Sequence, residues 1–144
     1  MGQLTIPPSG NVYLDTCCLI YTIERHTDFF PILAPLWAAS QSASISIVCS
    51  KLTILECLVG PLKAKDVELV AAYETAFGAG DLRLCEVAEE ILRDAAQLRA
   101  THNLKTPDAI HAATALSASA VSFITNDPHF ERVAGLNVQV ISKL

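Results

Sequence analysis

Four carboxylates fall in sequence contexts where acidic side chains are uncommon. Asp15 follows the apolar run Val12–Leu14 in NVYLDTCCLIY, and Glu56 lies inside the apolar stretch SKLTILECLVG. Asp108 lies near the start of TPDAIHAATA, and Asp127 ends FITND. Crowded carboxylates repel one another unless they are protonated or bridged by cations, and oxygen-only clusters select hard metals such as Mg²⁺ or Mn²⁺. If these four acids meet, they predict a metal site of the kind that hydrolyses phosphodiesters.

Three of the acids also have an ordinary structural explanation. Asp15 is able to cap a helix that begins near Cys17, so that a capping role and a ligand role are equally favoured there. Asp108 lies in the first turn of a predicted helix, where the helix dipole favours an acid. Asp127 precedes Pro128, a pair that is common in turns. For Asp108 and Asp127, each taken singly, the structural role is the favoured interpretation.

Glu56 has no such explanation. It lies within a predicted helix rather than at its end, so it caps nothing. The positions three and four residues away, where a basic partner would lie on the same helix face, hold only uncharged residues: Leu52, Thr53, Val59 and Gly60. Glu56 therefore indicates a site together with Asp15.

The elements that must position these acids alternate between short β-branched runs and longer helical patterns. The predicted strands are Val12–Leu14, Ile45–Cys49, Leu82–Cys85, Val121–Thr125 and Val138–Ile141. The predicted helices are Asp28–Ser42, Ser50–Gly60, Lys63–Phe77, Val87–Thr101 and Pro107–Ala118. Ser50 and Thr106 are predicted helix caps, and Gly78 and Gly80 are predicted helix terminators.

Strands that alternate with helices predict a parallel sheet with helices on both faces, which is a three-layer α/β/α fold. A chain of 144 residues without linkers or repeats predicts one domain, residues 1–144. Ligands of open parallel sheets bind beyond the carboxyl ends of strands, where the strand order reverses. If the first and fourth strands are neighbours at such a point, Asp15 and Asp127 converge.

The composition narrows the class of protein. Half of the residues (51%) are hydrophobic and 17% are charged, which excludes a disordered chain. No apolar run is long enough to cross a bilayer, and the first residues lack the pattern of a signal peptide, so we expect a cytoplasmic protein. The five cysteines form no C-x-x-C pair, which favours reduced thiols over disulfides or a zinc site.

The net charge of −5 does not exclude nucleic acid as a partner. If four of the 15 acids hold cations, the remaining 11 nearly balance the ten Lys and Arg residues. The most plausible contacts to RNA are Arg25, Lys51 and Lys105. We interpret His111, which lies three residues after Asp108, as a buried core histidine rather than as a group that serves the acids.

Four stretches in this order and spacing resemble the PIN-domain ribonucleases, especially the small stand-alone toxins of the VapC type. They are Leu14–Thr16, Ser50–Glu56, Thr106–Ala115 and Phe123–Phe130. The resemblance covers essentially the whole chain. It implies a central five-stranded parallel sheet, a Mg²⁺ or Mn²⁺ cofactor and endonucleolytic cleavage of RNA by metal-activated water. It also implies a homodimer that a cognate antitoxin protein inhibits.

The resemblance also assigns roles to residues. The family's catalytic and metal-binding acids fall on Asp15, Glu56, Asp108 and Asp127, and the polar residues that accompany them fall on Thr16, Thr125 and Asn126. The expected products carry a 5′-phosphate and a 3′-hydroxyl. An alternative is a catalytically silent PIN-like module that binds RNA or a protein partner, and the presence of all four acids argues against it.

Overall fold

The computed structural model describes residues 2–144; Met1, the first residue of the predicted domain, lies outside this range. The strands are β1 (Asn11–Leu14), β2 (Ser46–Ser50), β3 (Leu82–Cys85), β4 (Ser122–Thr125) and β5 (Val138–Val140). The α-helices are α1 (Thr16–Ile23), α2 (Phe30–Gln41), α3 (Leu52–Lys63), α4 (Val67–Gly78), α5 (Glu89–His102) and α6 (Thr106–Ser117). Two short 3-10 helices span Pro128–Arg132 and Ile141–Lys143.

The five strands form one parallel sheet in the order β3-β2-β1-β4-β5, which confirms the predicted fold class. The chain builds outward from β1 to β2 and β3, then crosses to the other side of β1 for β4 and β5. The order therefore reverses between β1 and β4. In this pair Leu14 lies opposite Ile124, and the amide of Asp15 donates to the Ile124 carbonyl over 2.9 Å.

Hydrophobic clusters cover both faces of the sheet because side chains alternate along each strand. In β1, Val12 and Leu14 pack with α1 to α4, whereas Tyr13 packs on the opposite face with α5 and α6. The helix α6 places Ala109 and Ala112 against that face, and these small side chains bring its backbone close to the sheet. This close packing brings the start of α6 to the carboxyl edge of β1 and β4.

Helix ends show where local sequence signals succeed and fail. The predicted terminator Gly78 is confirmed as the last residue of α4, whereas the predicted cap at Ser50 is wrong: Lys51 is the N-cap of α3, although the Ser50 hydroxyl accepts from the Leu52 amide over 3.1 Å. The predicted cap at Thr106 is wrong, because Lys105 is the N-cap of α6 and the Thr106 hydroxyl accepts from Arg99 Nη1 instead.

The boundary between α3 and α4 also differs from the prediction. α3 continues beyond Gly60 to Lys63, and α4 begins only at Val67 rather than at Lys63. The signal for this boundary is Asp66, whose side chain accepts from the Leu69 amide over 3.1 Å and caps α4. The short helix α1 follows Asp15 directly, and the sequence patterns did not predict its bounds.

None of the helices in residues 2–144 has the length and hydrophobicity that crossing a bilayer requires. All five cysteines are free thiols, and three of them are buried. Burial raises the pKa of the Cys57 thiol to about 12, with further contributions from the charges of Glu56 and Glu24. These thiols are thus packing groups of the core rather than a disulfide framework.

Candidate active site

The four predicted acids line one open cleft at the carboxyl edge of β1 and β4. The volume of this cleft is about 410 Å³. Its lining consists of Asp15, Thr16, Cys17, Ile20, Tyr21, Glu56, Asp108, His111, Asn126 and Asp127. The fold therefore gathers at one point four acids that are spread over more than a hundred residues of sequence.

Asp15 is both a helix cap and a wall of the cleft. Its Oδ1 accepts from the Thr16 amide over 2.9 Å, which caps α1. Its Oδ2 accepts from the Thr125 hydroxyl over 2.7 Å, and the same hydroxyl oxygen accepts from the Asp127 amide. Only 8% of Asp15 is exposed. The two roles that the sequence left open at this position therefore coexist, because a capping carboxylate at a strand end still faces the cleft.

Glu56 is held by groups from two other helices. Its Oε1 accepts from the Thr16 hydroxyl over 2.9 Å and from His111 Nε2 over 2.6 Å. The Thr16 hydroxyl also lies 3.1 Å from the Thr53 hydroxyl, one turn before Glu56 on α3. The carboxylate of Glu56 is thus oriented by hydrogen bonds rather than by solvent.

A buried hydrogen-bond chain runs from β2 through β1 to Glu56. The Ser50 amide donates to the Tyr13 hydroxyl oxygen over 3.0 Å, and this hydroxyl lies 2.6 Å from His111 Nδ1. An ionised Glu56 only accepts, so His111 Nε2 is the donor of that contact; at Nδ1, the Tyr13 hydroxyl donates to a neutral ring and accepts from a protonated one. Tyr13 and His111 are almost completely buried, at 0% and 1% exposure.

The interpretation of His111 as a core histidine is therefore incomplete. Its ring is buried as expected, but the nitrogen that faces the cleft binds an acid of the site. The signal in the sequence was its spacing of three residues from Asp108, which places both side chains on one face of α6. Its partners Tyr13 and Glu56 are distant in sequence, so no local pattern linked them to His111.

The contact between Glu56 and His111 shifts the pKa values of the two groups in opposite directions. Burial by itself raises the pKa of Glu56, but the hydrogen bond and charge of His111 and the Thr16 hydroxyl outweigh it, so the pKa of Glu56 is lowered. Burial by itself lowers the pKa of His111, but the contact with Glu56 and the charge of Asp15 raise it above its usual value. Glu56 is thus held in its charged form.

Asp127 occupies the opposite, more open side of the cleft. It caps the 3-10 helix Pro128–Arg132: its Oδ1 accepts from the His129 amide over 2.9 Å and lies 2.7 Å from His129 Nδ1. The turn role suggested by Asp127-Pro128 is therefore real. As with Asp15, a local cap is placed where its carboxylate also lines the cleft.

Asp108 is the acid most affected by the others. It is the third residue of α6 and half-buried, and within residues 2–144 its carboxylate accepts no hydrogen bond from a side chain or amide. Burial raises the pKa of Asp108, and the negative charges of Asp127, Asp15 and Glu56 raise it further, against the opposing effect of His111. The ionised form of Asp108 is thus the one that the other three acids repel.

The donor set fits a hydrated hard cation. In the arrangement of residues 2–144, no three His, Cys, Asp or Glu side chains converge closely enough to ligate one ion directly. The cleft nevertheless offers mainly oxygen donors, and the repulsion around Asp108 is the imbalance that a cation relieves. Mg²⁺ commonly keeps several waters and uses one or two carboxylates, which matches acids that share a cleft without forming a closed cage.

The residues predicted to accompany the acids divide into two groups. Thr16 and Thr125 donate to Glu56 and Asp15, as described above. Asn126 lines the cleft, but its side chain donates to the Tyr21 hydroxyl over 3.2 Å and accepts from the Ser142 amide over 3.1 Å. Within the described residues, it ties the end of β4 to α1 and the C-terminal turn.

The three predicted RNA contacts lie in different surroundings. Arg25 stacks over the ring of Phe30, 4.9 Å from its centre, and Lys51 forms an ion pair with Glu86. Neither of them lines the cleft. Lys105 lines an adjoining groove that shares two acids with the cleft. Of the three, only Lys105 is placed beside the site.

The fold agrees with comparisons to known proteins. The family model described as the PIN domain matches residues 12–136. Among curated proteins, no sequence matches this chain significantly. Several solved structures share its fold at low sequence identity. One is VapBC2 from Rickettsia felis bound to a DNA fragment from its promoter, with 20% identity, a TM-score of 0.73 and coverage of 90% of this chain and 97% of that chain.

Two further structures are similar. VapBC-1 from nontypeable Haemophilus influenzae has 20% identity and a TM-score of 0.68, with coverage of 92% of this chain and 98% of that chain. A toxin–antitoxin complex from Klebsiella pneumoniae has 22% identity and a TM-score of 0.65, with coverage of 87% and 94%. The structures establish the fold, and the family model matches most of the sequence. With its parallel sheet and its acids at the β1–β4 edge, the chain belongs to the PIN domain family.

Proposed function

We propose that this chain is a Mg²⁺- or Mn²⁺-dependent endoribonuclease that acts as the toxin of a toxin–antitoxin pair. The observation that carries the proposal is the meeting of four carboxylates in one cleft, with the pKa of Asp108 raised by burial and by the charges of the other three. A protein that only binds RNA or a partner gains nothing from this repulsion. A nuclease gains a cation site beside its substrate.

In the proposed mechanism, Asp15, Glu56, Asp108 and Asp127 bind the cation directly or through water. The cation, when bound, lowers the pKa of water and offsets the charge that develops on the phosphate. Thr125 fixes the orientation of Asp15, and Thr16 and His111 fix that of Glu56. These fixed carboxylates keep one side of the cleft in place during the reaction.

The reaction is an in-line hydrolysis of the RNA backbone. A bond forms between the water oxygen and phosphorus while the bond between phosphorus and the 3′-oxygen breaks. The leaving 3′-oxygen takes up a proton, and the products carry a 5′-phosphate and a 3′-hydroxyl. Asp108 has no hydrogen-bond donor of its own within residues 2–144, which leaves its carboxylate free for the cation and its waters.

The partners in this proposal are a cognate antitoxin and a second copy of the chain. The structural similarity to toxin–antitoxin complexes supports a protein partner. Leu55, Val59 and Leu62 provide further support, because they lie exposed along α3, beside the helix turn that carries Glu56. We place the activity in the cytoplasm, where RNA is present and five free thiols remain reduced.

The decisive experiment compares the wild-type chain with Asp15→Asn on a structured RNA. We expect cleavage by the wild type with Mg²⁺ or Mn²⁺ and none with EDTA, and products that carry 5′-phosphates. Asp15→Asn keeps the cap acceptor but removes the charge, so we expect cleavage to fall to background while the circular dichroism spectrum is unchanged. Asp94→Asn, on the exposed surface of α5, is the matched control and should cleave normally.

Two results would overturn the proposal. Cleavage by Asp15→Asn at the wild-type rate would remove the site assignment. RNA binding by the wild type without any metal-dependent cleavage would instead favour the second candidate, a catalytically silent RNA-binding module.

A further inference from the structure

A groove adjoins the acidic cleft on its outer side. Its volume is about 360 Å³, and it is lined by Asn103, Leu104, Lys105, Asp108, Asp127, His129 and Arg132. Asp108 and Asp127 line both the groove and the cleft, so the two are continuous. Apart from these two acids, the ionisable side chains that line the groove are basic: Lys105, His129 and Arg132.

Two basic side chains of the groove, Lys105 and Arg132, have no acidic partner in the part of the chain that the structure describes, whereas the third, His129, lies against Asp127. Within residues 2–144, Lys105 and Arg132 form no ion pair and their side chains donate no hydrogen bond, although both are exposed. By contrast, Lys51 and Lys143 are each paired with a glutamate. Two unpaired cations beside an acidic cleft are available for an external anion.

The walls of the groove are fixed by the fold. Arg99 donates from Nε to the Leu104 carbonyl over 2.9 Å and from Nη1 to the Thr106 hydroxyl over 3.0 Å, which holds the loop that carries Lys105. On the other wall, Asp127 caps the 3-10 helix that ends at Arg132, and Phe130 anchors this helix in the core with 1% exposure. The cations are therefore presented from ordered backbone.

We propose that this groove binds backbone phosphates of the RNA strand next to the phosphate that is cleaved, with Lys105 and Arg132 as its contacts. The proposal rests on the endoribonuclease function and adds to it the path of the substrate. An RNA strand that reaches the cleft brings phosphates toward four carboxylates, and a net charge of −5 makes approach unfavourable. Cations at the outer edge of the cleft offset this repulsion where the strand leaves it.

Of the three RNA contacts that the sequence suggested, only Lys105 lines this groove. Arg25 and Lys51 are engaged with Phe30 and Glu86 and do not line the cleft or the groove. Arg132 had no distinguishing context in the sequence. It joins Lys105 only because the turn after β4 folds back beside the start of α6.

The test is equilibrium binding of a fluorescent single-stranded RNA of mixed sequence, about 20 nucleotides long, which exceeds a typical single-domain site. Binding is measured by anisotropy in Mg²⁺ on an Asp15→Asn background, which prevents cleavage. The test variant adds Lys105→Ala and Arg132→Ala. The matched control adds Lys63→Ala and Arg83→Ala, which remove the same two charges from exposed sites outside the cleft and the groove.

We expect the test variant to bind about tenfold more weakly, and the slope of log K against log salt to become shallower by about 1.4, since each lost phosphate contact on a single strand removes about 0.7. The control should retain the affinity and slope of its parent to within about twofold, because remote charges act only through screened long-range attraction. Circular dichroism checks that both variants are folded.

The outcomes separate this proposal from the nuclease function. If wild-type chain cleaves RNA but the test variant binds like the control, the groove assignment is wrong and the nuclease function stands. If both double variants lose affinity equally, only net charge matters and the groove assignment is again wrong. If the wild-type chain neither binds nor cleaves RNA, both proposals fail.

Discussion

The two sides of the cleft are built in different ways. On the inner side, Asp15 and Glu56 each accept two hydrogen bonds from groups that are themselves packed in the core. On the outer side, Asp127 is bound only within its own turn, and Asp108 accepts no hydrogen bond within residues 2–144. The carboxylates of the inner side are therefore held in place by the fold. On the outer side, Asp108 is repelled by the other acids and has no hydrogen bond from a described residue that offsets this repulsion.

This difference shows how one site can be ordered and still be ready for a ligand. Buried carboxylates are tolerable when hydrogen bonds replace the water they lose. A carboxylate without such bonds destabilises the ligand-free protein when it is ionised. A bound cation would remove this destabilisation. In the proposed nuclease, Asp15 and Glu56 would thus provide the geometry, and Asp108 would provide affinity for the cation.

Among the changes that test this comparison, the largest expected effect on stability comes from breaking the inner side at His111. His111→Leu removes the donor to Glu56 and leaves the Tyr13 hydroxyl without its hydrogen-bond partner on α6. We expect cleavage to fall about 10–100-fold, as for other groups that orient metal ligands. We also expect the free energy of unfolding to fall by about 1–3 kcal/mol because buried polar groups lose partners. The measurements are single-turnover cleavage rates and urea denaturation.

His111→Gln is the matched variant, because its amide presents a donor near the position of Nε2. It should cleave faster than His111→Leu when both are compared at equal folded fraction. Equal rates for the two variants would show that the histidine serves only to fill the core. In that case, the distinction between the two sides would rest on Asp15 alone.

A smaller, opposite effect is expected on the outer side. Asp108→Asn removes a charge that the folded state disfavours, so in EDTA at neutral pH we expect the melting temperature to rise by about 2 °C. The same variant should lose most of its cleavage activity and gain less stability from added Mn²⁺ than the wild type does. Differential scanning fluorimetry with and without Mn²⁺ measures both shifts, and Asp94→Asn serves as the control.

A lower melting temperature in Asp108→Asn would contradict this account. It would mean that Asp108 supports the start of α6 more than it suffers from its neighbours. The favourable interaction of an acid with the helix dipole is the specific term that would then dominate.

The smallest effect is the pH dependence of that gain. Because the pKa of Asp108 is raised in the folded state, the folded protein holds this proton more tightly than the unfolded chain does. Ionisation of Asp108 therefore lowers the free energy of unfolding. Below the usual value of 3.8, Asp108 is protonated in both states and the substitution should have almost no electrostatic effect. As the pH rises through the raised pKa, the advantage of Asp108→Asn over the wild type should grow and then level off. Melting temperatures in EDTA between about pH 4 and 7 test this.

A gain that is constant over this range would show that the effect of the substitution is not electrostatic. An advantage that shrinks as the pH rises would contradict the direction of the Asp108 shift. Either result would remove the contrast between a relaxed inner side and a repulsive outer side.

The sequence was sufficient to predict the sheet and its acids, for physical reasons. Alternation of apolar strands and amphipathic helices specifies a parallel sheet, and the edge at which its strands end specifies where Asp15 and Asp127 lie. Glu56 was conspicuous because its helix neighbours gave it no partner. These signals are local, and the fold only had to bring them together.

The parts that the sequence did not predict depend on contacts between distant residues. His111 binds Tyr13, 98 residues away, and Glu56, 55 residues away. Lys51 is occupied by Glu86 on the neighbouring strand end, and Thr106 is diverted from capping by Arg99. No local pattern distinguishes a side chain with such a partner from one without it.

The strand β1 connects the inner side of the cleft to the centre of the sheet. Tyr13 lies in β1 and Asp15 directly follows this strand, whose backbone is hydrogen-bonded to neighbours on both sides of the sheet. Because the groups that orient Glu56 contact this strand or follow it directly, we expect its orientation to be lost mainly when the middle of the sheet opens. The turn after Asp127 can open by itself, as a small cooperative unit at the surface. We therefore expect the outer side of the cleft to fluctuate locally while Asp15 and Glu56 on the inner side keep their orientation.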